Sequence, residues 1–462
     1  MKIIVIVPDG VGIRNFLFSS LLSKIEKIEN EIVLWNAIGK AIDKNSSFEE
    51  IRRIKFPQYK ESARAKFFRE TASLMRLKHN VRITGNETIE SNWNPSKRHL
   101  PHKLFYAAVE STASVLNGYG AILSAERAAE RAVESSEAFE RCLAFLRQER
   151  PDVLFNTHQR AVSAVPAVAA AKKLGIRTVT AIYSWDNLPK ARLATRTDEY
   201  VVWSEYMRWE MGRYYPEIAF DRIHVTGTPQ FEFYRDASLY ESKEAFCARY
   251  GLDPERPIVC FSGDDRLTSP YDPEYLRDLA EAVASAESNK RPQILFRRCP
   301  ADFSDRYDAV LKKYADIVRI ADPLWKREEG GHWTQYCPTF EDVKLLVNIA
   351  RHCDTVYNVA STMALDFAMF DKASCYIAYD QPQARDWSVK TVYAFEHFKT
   401  MAGLDAVVMI RNKEEILSKV TEAIEEPDRA APDRRKWLEI VTGGAEIEAS
   451  ENIANVLLRG KR

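Results

Sequence analysis

Residues able to handle phosphates and protons stand in this chain at the ends of apolar runs. Residues 355–359 form one such β-branched, aromatic run. Behind it come Ala360, Ser361 and Thr362, then apolar positions at helical spacing over 363–370. A helix starting at Ser361-Thr362 would turn unpaired N–H groups and hydroxyls toward a phosphate. Asp366, about one turn further in, is a carboxylate suited to accept hydrogen bonds from ribose hydroxyls. Near the N-terminus the run 2–7 gives way to PDGVGIRN, where Gly10 and Gly12 allow a tight turn and close backbone approach. Arg14 there can clamp a phosphate or carboxylate. Three proton acceptors also sit behind apolar runs: Asp9, His158 and Asp186. Each has a plainer reading as a turn or capping residue.

Positioning these groups requires strands alternating with helices. Runs at 2–7, 31–36, 153–156, 178–183, 199–203 and 222–225 read as strands with helical stretches between most of them. A polar stretch at 235–257 follows, and the alternation resumes at 258–262, 293–296, 355–359 and 375–379. The pattern predicts two doubly wound parallel sheets, with ligands bound beyond the carboxyl ends of the strands. The expected division is 1–235, 236–431 and a closing helical segment 432–462. One stretch, about 46–104, breaks the alternation as a helical insertion. Residues 52–103 hold thirteen bases against four acids, with Phe67, Phe68, Leu74, Met75 and Leu77 interleaved. That mixture fits a helix lying on an anionic membrane surface, with Lys66, Arg69, Arg76 and Lys78 as its charges.

Bulk composition narrows the function classes. Lys plus Arg equals Asp plus Glu at 66 each, which gives no global attraction to nucleic acid. Seven scattered cysteines, never spaced as CxxC, argue for reduced thiols in the cytosol and against a zinc site. No apolar run is long enough to span a bilayer, and the N-terminal run lacks the features of a signal peptide. The expected location is the cytoplasm, with peripheral contact to the inner face of the membrane.

TGTPQF, RYGLDPERPIVCFSG, LFRRCPAD, NVASTMALD and FDKA together resemble the GT-B glycosyltransferases, closest in pattern to those of bacterial surface-polysaccharide synthesis. SWDNL is similar to a motif of the same set. The architecture is shared with UDP-N-acetylglucosamine 2-epimerases and CDP-glycerol glycerophosphotransferases. The resemblance spans most of the chain from about Pro151 onward, touches the N-terminal loop, and leaves out the basic insertion. It implies two Rossmann-like domains facing across a cleft, with the donor nucleotide-sugar on the second and the acceptor on the first. It further implies that Ser361 and Thr362 hold the donor pyrophosphate, Asp366 the ribose, and Arg298 a phosphate charge. Gly12 and Arg14 would approach from the opposite wall, and no metal or other cofactor is expected.

Asp186 is the preferred base because it lies in the resembling motif; His158 is the alternative. The implied activity is transfer of a sugar to a growing, lipid-linked surface glycan. A 2-epimerase, a polyol-phosphate transferase and a catalytically silent scaffold of envelope assembly are the other readings. Two departures stand out: Ser-Thr-Met where the epimerases have Gly-Gly, and Cys299 where relatives often carry His. Trp333, Tyr336 and Pro338 are candidates to pack against the nucleotide base.

Overall fold

The computed structural model describes residues 1–26, 30–37, 50–116, 118–287, 291–326 and 336–459. Among these residues, thirteen strands form two all-parallel sheets. The first holds β1 (Lys2–Val7), β2 (Glu31–Asn36), β3 (Arg52–Lys55), β4 (Val153–Asn156), β5 (Arg177–Ala181), β6 (Glu199–Val202) and β7 (Ile223–Val225), in the order 3-2-1-4-5-6-7. The second holds β8 (Ile258–Ser262), β9 (Gln293–Arg297), β10 (Val318–Ile320), β11 (Thr355–Asn358), β12 (Cys375–Ile377) and β13 (Val408–Ile410), in the order 10-9-8-11-12-13. Strands such as IIVIV and IVCFS are apolar on both faces because helices cover both faces of each sheet. In each sheet the first strand is central and the order reverses beside it, between β1 and β4 and between β8 and β11. The crevices at these reversals are where open α/β sheets bind ligands.

Several details depart from the sequence reading. PDGVGIRN does not form the tight glycine turn expected there. Asp9 caps a helical turn at Gly10–Gly12 by accepting from the Val11 and Gly12 N–H groups. The backbone then continues as a π-helical turn, Ile13–Leu17, before the helix Leu21–Glu26. Gly12 has an ordinary helical φ of −60°. What requires glycine is space, because a Cβ there would lie 2.5 Å from the Thr157 hydroxyl. The segment 46–104 is not purely helical: its charged RRIK run adds β3 to the sheet edge, and the helical region runs on to Val133. Residues 46–49 and Trp333 lie outside the described residues.

The long helix Ala63–Thr84 is an internal strut. Leu74, Met75 and Leu77 are buried, and the helix packs against Leu100–Val115 and Tyr119–Val133. Its charges are held by the protein itself. Arg69 bonds Glu61 at 2.7 and 2.8 Å, and Arg76, 1% exposed, bonds Glu126 and the Tyr214 carbonyl. Lys66 lies over the Phe105 and Tyr106 rings, and Lys78 bonds Ser114. Ser73 and Asn80 donate to the carbonyls of Ala191 and Pro189, so the helix props the loop that contains SWDNL. Arg69 and Arg76 therefore face protein partners rather than a membrane.

The chain ends by crossing back. The helix Ala449–Leu458 packs on Leu21–Glu26 of the first sheet's layer, with a Lys24–Glu451 ion pair of 2.8 Å. Arg177 donates to the Val456 and Leu457 carbonyls at its C-terminal end, where a cation suits the helix dipole.

Candidate functional site

At the reversal of the first sheet, β1 ends in Asp9 and β4 ends in Asn156-Thr157-His158. His158 and Asp9 are both buried, and the Asp9 carboxylate meets His158 Nδ1. The same carboxylate caps Gly10–Gly12, so its position is fixed twice. The Tyr183 ring stands edge-on to the imidazole at 4.0 Å. His158 Nε2 has no hydrogen-bond partner among the described residues. That nitrogen is itself buried. A carboxylate on one ring nitrogen and an unpartnered second nitrogen is the arrangement of an oriented general base.

Asp186 lies in the same cluster but is engaged on all sides. It takes hydrogen bonds from Ser184 and the Asn187 side chain and forms an ion pair with Lys190. Burial pushes its carboxyl up, but Lys190, His397 and Ser184 outweigh this and hold it below the ordinary carboxylate range. So weak a base is poorly matched to taking a proton near neutrality. Asp186 instead shapes the SWDNL turn. Trp185 of that turn packs edge-on against His397, Phe398 and Trp437 of the second half.

The second sheet's reversal carries Asn358–Asp366 behind β11. The expected phosphate helix is short, Met363–Ala368, and its leading N–H groups are mostly taken. Asn358 accepts from Ser361 N–H at 3.1 Å, Ser361 Oγ from Met363 N–H, and the Ser361 carbonyl from Ala364 N–H. Thr362 makes no side-chain cap. Little of an N-terminal anion seat is left open, so guanidinium groups must carry more of any phosphate charge. Asp366 is 7% exposed beneath Tyr234. Burial pushes its carboxyl up to about 6, while Arg14, the Tyr234 hydroxyl and Arg297 pull the other way. Arg14 comes from the first half and Arg297 from the second, so charges from both act on one carboxylate.

Arg298 is turned elsewhere. It pairs with Asp322 at 2.8 Å and donates to the Ser304 carbonyl. Its neighbour Arg297 is buried, grips Asp342 with Nη2, and leaves Nη1 without a partner among the described residues. Sequence reasoning missed Arg297, Tyr234 and the Asp9–His158 contact, since each depends on residues far apart in the chain. Asp264 is half-buried, and burial together with Asp272 and Asp265 raises its carboxyl to about 8. Tyr336 packs edge-on against Phe303 at 4.8 Å, and its carbonyl lies against Gly10 of the first half. No helix among the described residues is long and apolar enough to cross a membrane.

Comparison with protein-family models finds no match, and neither does comparison with curated proteins. Solved structures do match over nearly the whole chain. The UDP-GlcNAc 2-epimerase of Methanocaldococcus jannaschii aligns with a TM-score of 0.54 at 12% identity, covering 99% of each chain. The S. aureus MnaA–UDP structure aligns at 0.52 and 12%, covering 98% of this chain and 95% of that one. A glycosyltransferase from Rickettsia africae aligns at 0.52 and 9%, covering 99% of each. With the two sheets and their order, these similarities define the fold class: this chain has the GT-B fold.

Proposed function

We propose that this chain transfers a sugar from a nucleoside-diphosphate sugar to a hydroxyl of a lipid-linked surface glycan, with His158 as general base. The observation that carries this reading is the buried Asp9–His158 pair at the reversal of the first sheet, whose Nε2 is buried and has no hydrogen-bond partner among the described residues. The acceptor hydroxyl gives its proton to Nε2 while its oxygen bonds to the anomeric carbon. The bond from that carbon to the donor's diphosphate breaks, and the departing charge falls to Arg14 and Arg297. Asp366 takes the ribose after Tyr234 moves aside, and Ser361 and Thr362 add hydroxyls to the diphosphate. The chain itself supplies the positive charge a leaving diphosphate requires, so the proposal involves no metal. UDP in the S. aureus structure supports a uridine donor by analogy of fold.

The insertion's membrane role moves to the helix Leu100–Val115 in this proposal. Leu100, Leu104 and Val115 are 68%, 64% and 78% exposed there, beside Arg98 and Lys103. An apolar face with a basic rim suits the anionic inner leaflet.

A 2-epimerase is the second reading, favoured by the fold neighbours of that name. It parts from a transferase on whether nucleotide is released without an acceptor. The test begins with thermal shifts against UDP, CDP, GDP, dTDP and their sugar conjugates. A ligand at a hundred times its Kd adds about 2.7 kcal/mol. His158→Gln should keep the shift and lose roughly 10²–10⁴ of transfer, and Asp186→Asn should lose far less. Full transfer by His158→Gln would refute the assignment.

A further inference from the structure

A cavity of about 510 Å3 lies in the first half under the helices Ala63–Thr84 and Tyr119–Val133. It falls within the size range of small-molecule sites. Part of its wall is aliphatic, including Leu123, Val133, Val162 and Val165. Arginines interrupt that wall, and they are of two kinds. Arg69, Arg192 and Arg196 are neutralised by Glu61, Glu70, Glu126 and Glu217. Arg127, Arg160 and Arg222 have no carboxylate partner among the described residues. Of the lining acids outside those pairs, Glu130 binds Lys172 and Asp198 accepts from Thr178.

Thr195 also lines the cavity and is 5% exposed; its hydroxyl is itself buried and has no partner among the described residues. A buried hydroxyl left unpaired costs stability. The cavity also adjoins the candidate base, because Arg160 lies two residues beyond His158 and bonds Asn187 of the SWDNL turn at 3.2 Å.

We infer that the helical insertion roofs a binding chamber for an organic diphosphate, held by Arg127, Arg160 and Arg222 with its organic part along the aliphatic wall. Three unpaired guanidinium groups against one lining carboxylate without a cation, Asp198, leave a positive excess suited to a diphosphate, and guanidinium forks suit phosphate oxygens. That the ligand is the sugar acceptor rests on the transfer reading; that it binds does not. Such a group arrives either as a free diphosphate or on an isoprenoid carrier, and the two are separable.

The test titrates the full chain calorimetrically with inorganic pyrophosphate and with geranyl diphosphate, each with and without UDP. The double variant Arg127→Gln/Arg222→Gln is run in parallel; both positions are exposed, and neither belongs to the proposed catalytic groups. We expect saturable binding that UDP does not compete away and that the variant weakens roughly ten- to a hundredfold. UDP binding should be unchanged in the variant. Equal affinity for the two probes assigns the site to the head group alone. Tighter geranyl diphosphate adds the aliphatic wall and an isoprenoid carrier. Absence of binding by both probes, competition by UDP, or indifference to the variant would overturn the chamber. Loss of the UDP response alone would remove the transfer reading and leave the chamber standing.

Discussion

At Asp366 a carboxylate is buried beneath Tyr234, and Arg14, the Tyr234 hydroxyl and Arg297 offset only part of the loss of water. Its folded value of about 6 lies above the ordinary 3.8, so the folded state binds the proton more tightly than the unfolded state does. The sign follows: this contribution to stability is complete below about pH 4 and is lost as pH rises through about 6. Asp272, also raised to about 6, moves the same way, so the diagnostic quantity is a difference between proteins. Relative to Asp366→Asn, the unsubstituted chain should lose roughly 2–3 kcal/mol between pH 4 and 7. Denaturant titrations at a series of pH values measure it, and parallel curves for the two proteins would show that Asp366 does not titrate there. A nucleotide whose ribose meets this carboxylate should bind the ionised form and reverse part of the loss.

The first turn after β1 shows how elements were and were not legible. Strand 2–7 and the alternation behind it could be read directly, because a both-faces-apolar run bounded by Pro-Asp-Gly has few other meanings. The start of the helix could not, because it depends on Asp9 serving as a cap and as the partner of His158 at once. β3, β10 and β13 were invisible for related reasons. RRIK carries three charges in four residues, and VRI and VMI are three residues each. Only a neighbouring strand makes such pieces β. Positions 9, 14, 158 and 366 were legible as chemistry-bearing, while Arg297 was hidden behind its neighbour Arg298. Gly12 was legible as a glycine of consequence, but as a site for ligand approach. The turn predicts a packing role instead. Gly12→Ala should cost about 1–3 kcal/mol through the clash with Thr157. Nucleotide affinity in the protein that remains folded should be close to unchanged. Normal urea stability combined with lost nucleotide binding would restore the ligand-approach role.

Across the molecule, the two halves share one buried apolar cluster, and specific contacts tie them across it. Gly10 admits the Tyr336 carbonyl, where a Cβ would lie 2.1 Å from that oxygen. Tyr214 and Asn86 both donate to Glu396. Trp185, 3% exposed, is wedged among His397, Phe398 and Trp437, and burial lowers His397 to about 4, so a neutral ring faces the indole across much of the acidic range. The returning helix Ala449–Leu458 adds a fourth tie. Because Trp185 belongs to the turn that also holds Asp186 and Asn187, the turn links the candidate base's surroundings to the docking of the second half. If that wedge couples the halves, the full chain melts in one calorimetric transition. Trp185→Ala then removes about 3–5 kcal/mol of packing at the contact and should split the melt into two transitions. UDP should raise the transition of the second half, which carries Asp366 and Arg297, more than that of the first. A single transition displaced to lower temperature would mean that the returning helix, and not the SWDNL turn, makes the two halves unfold as one.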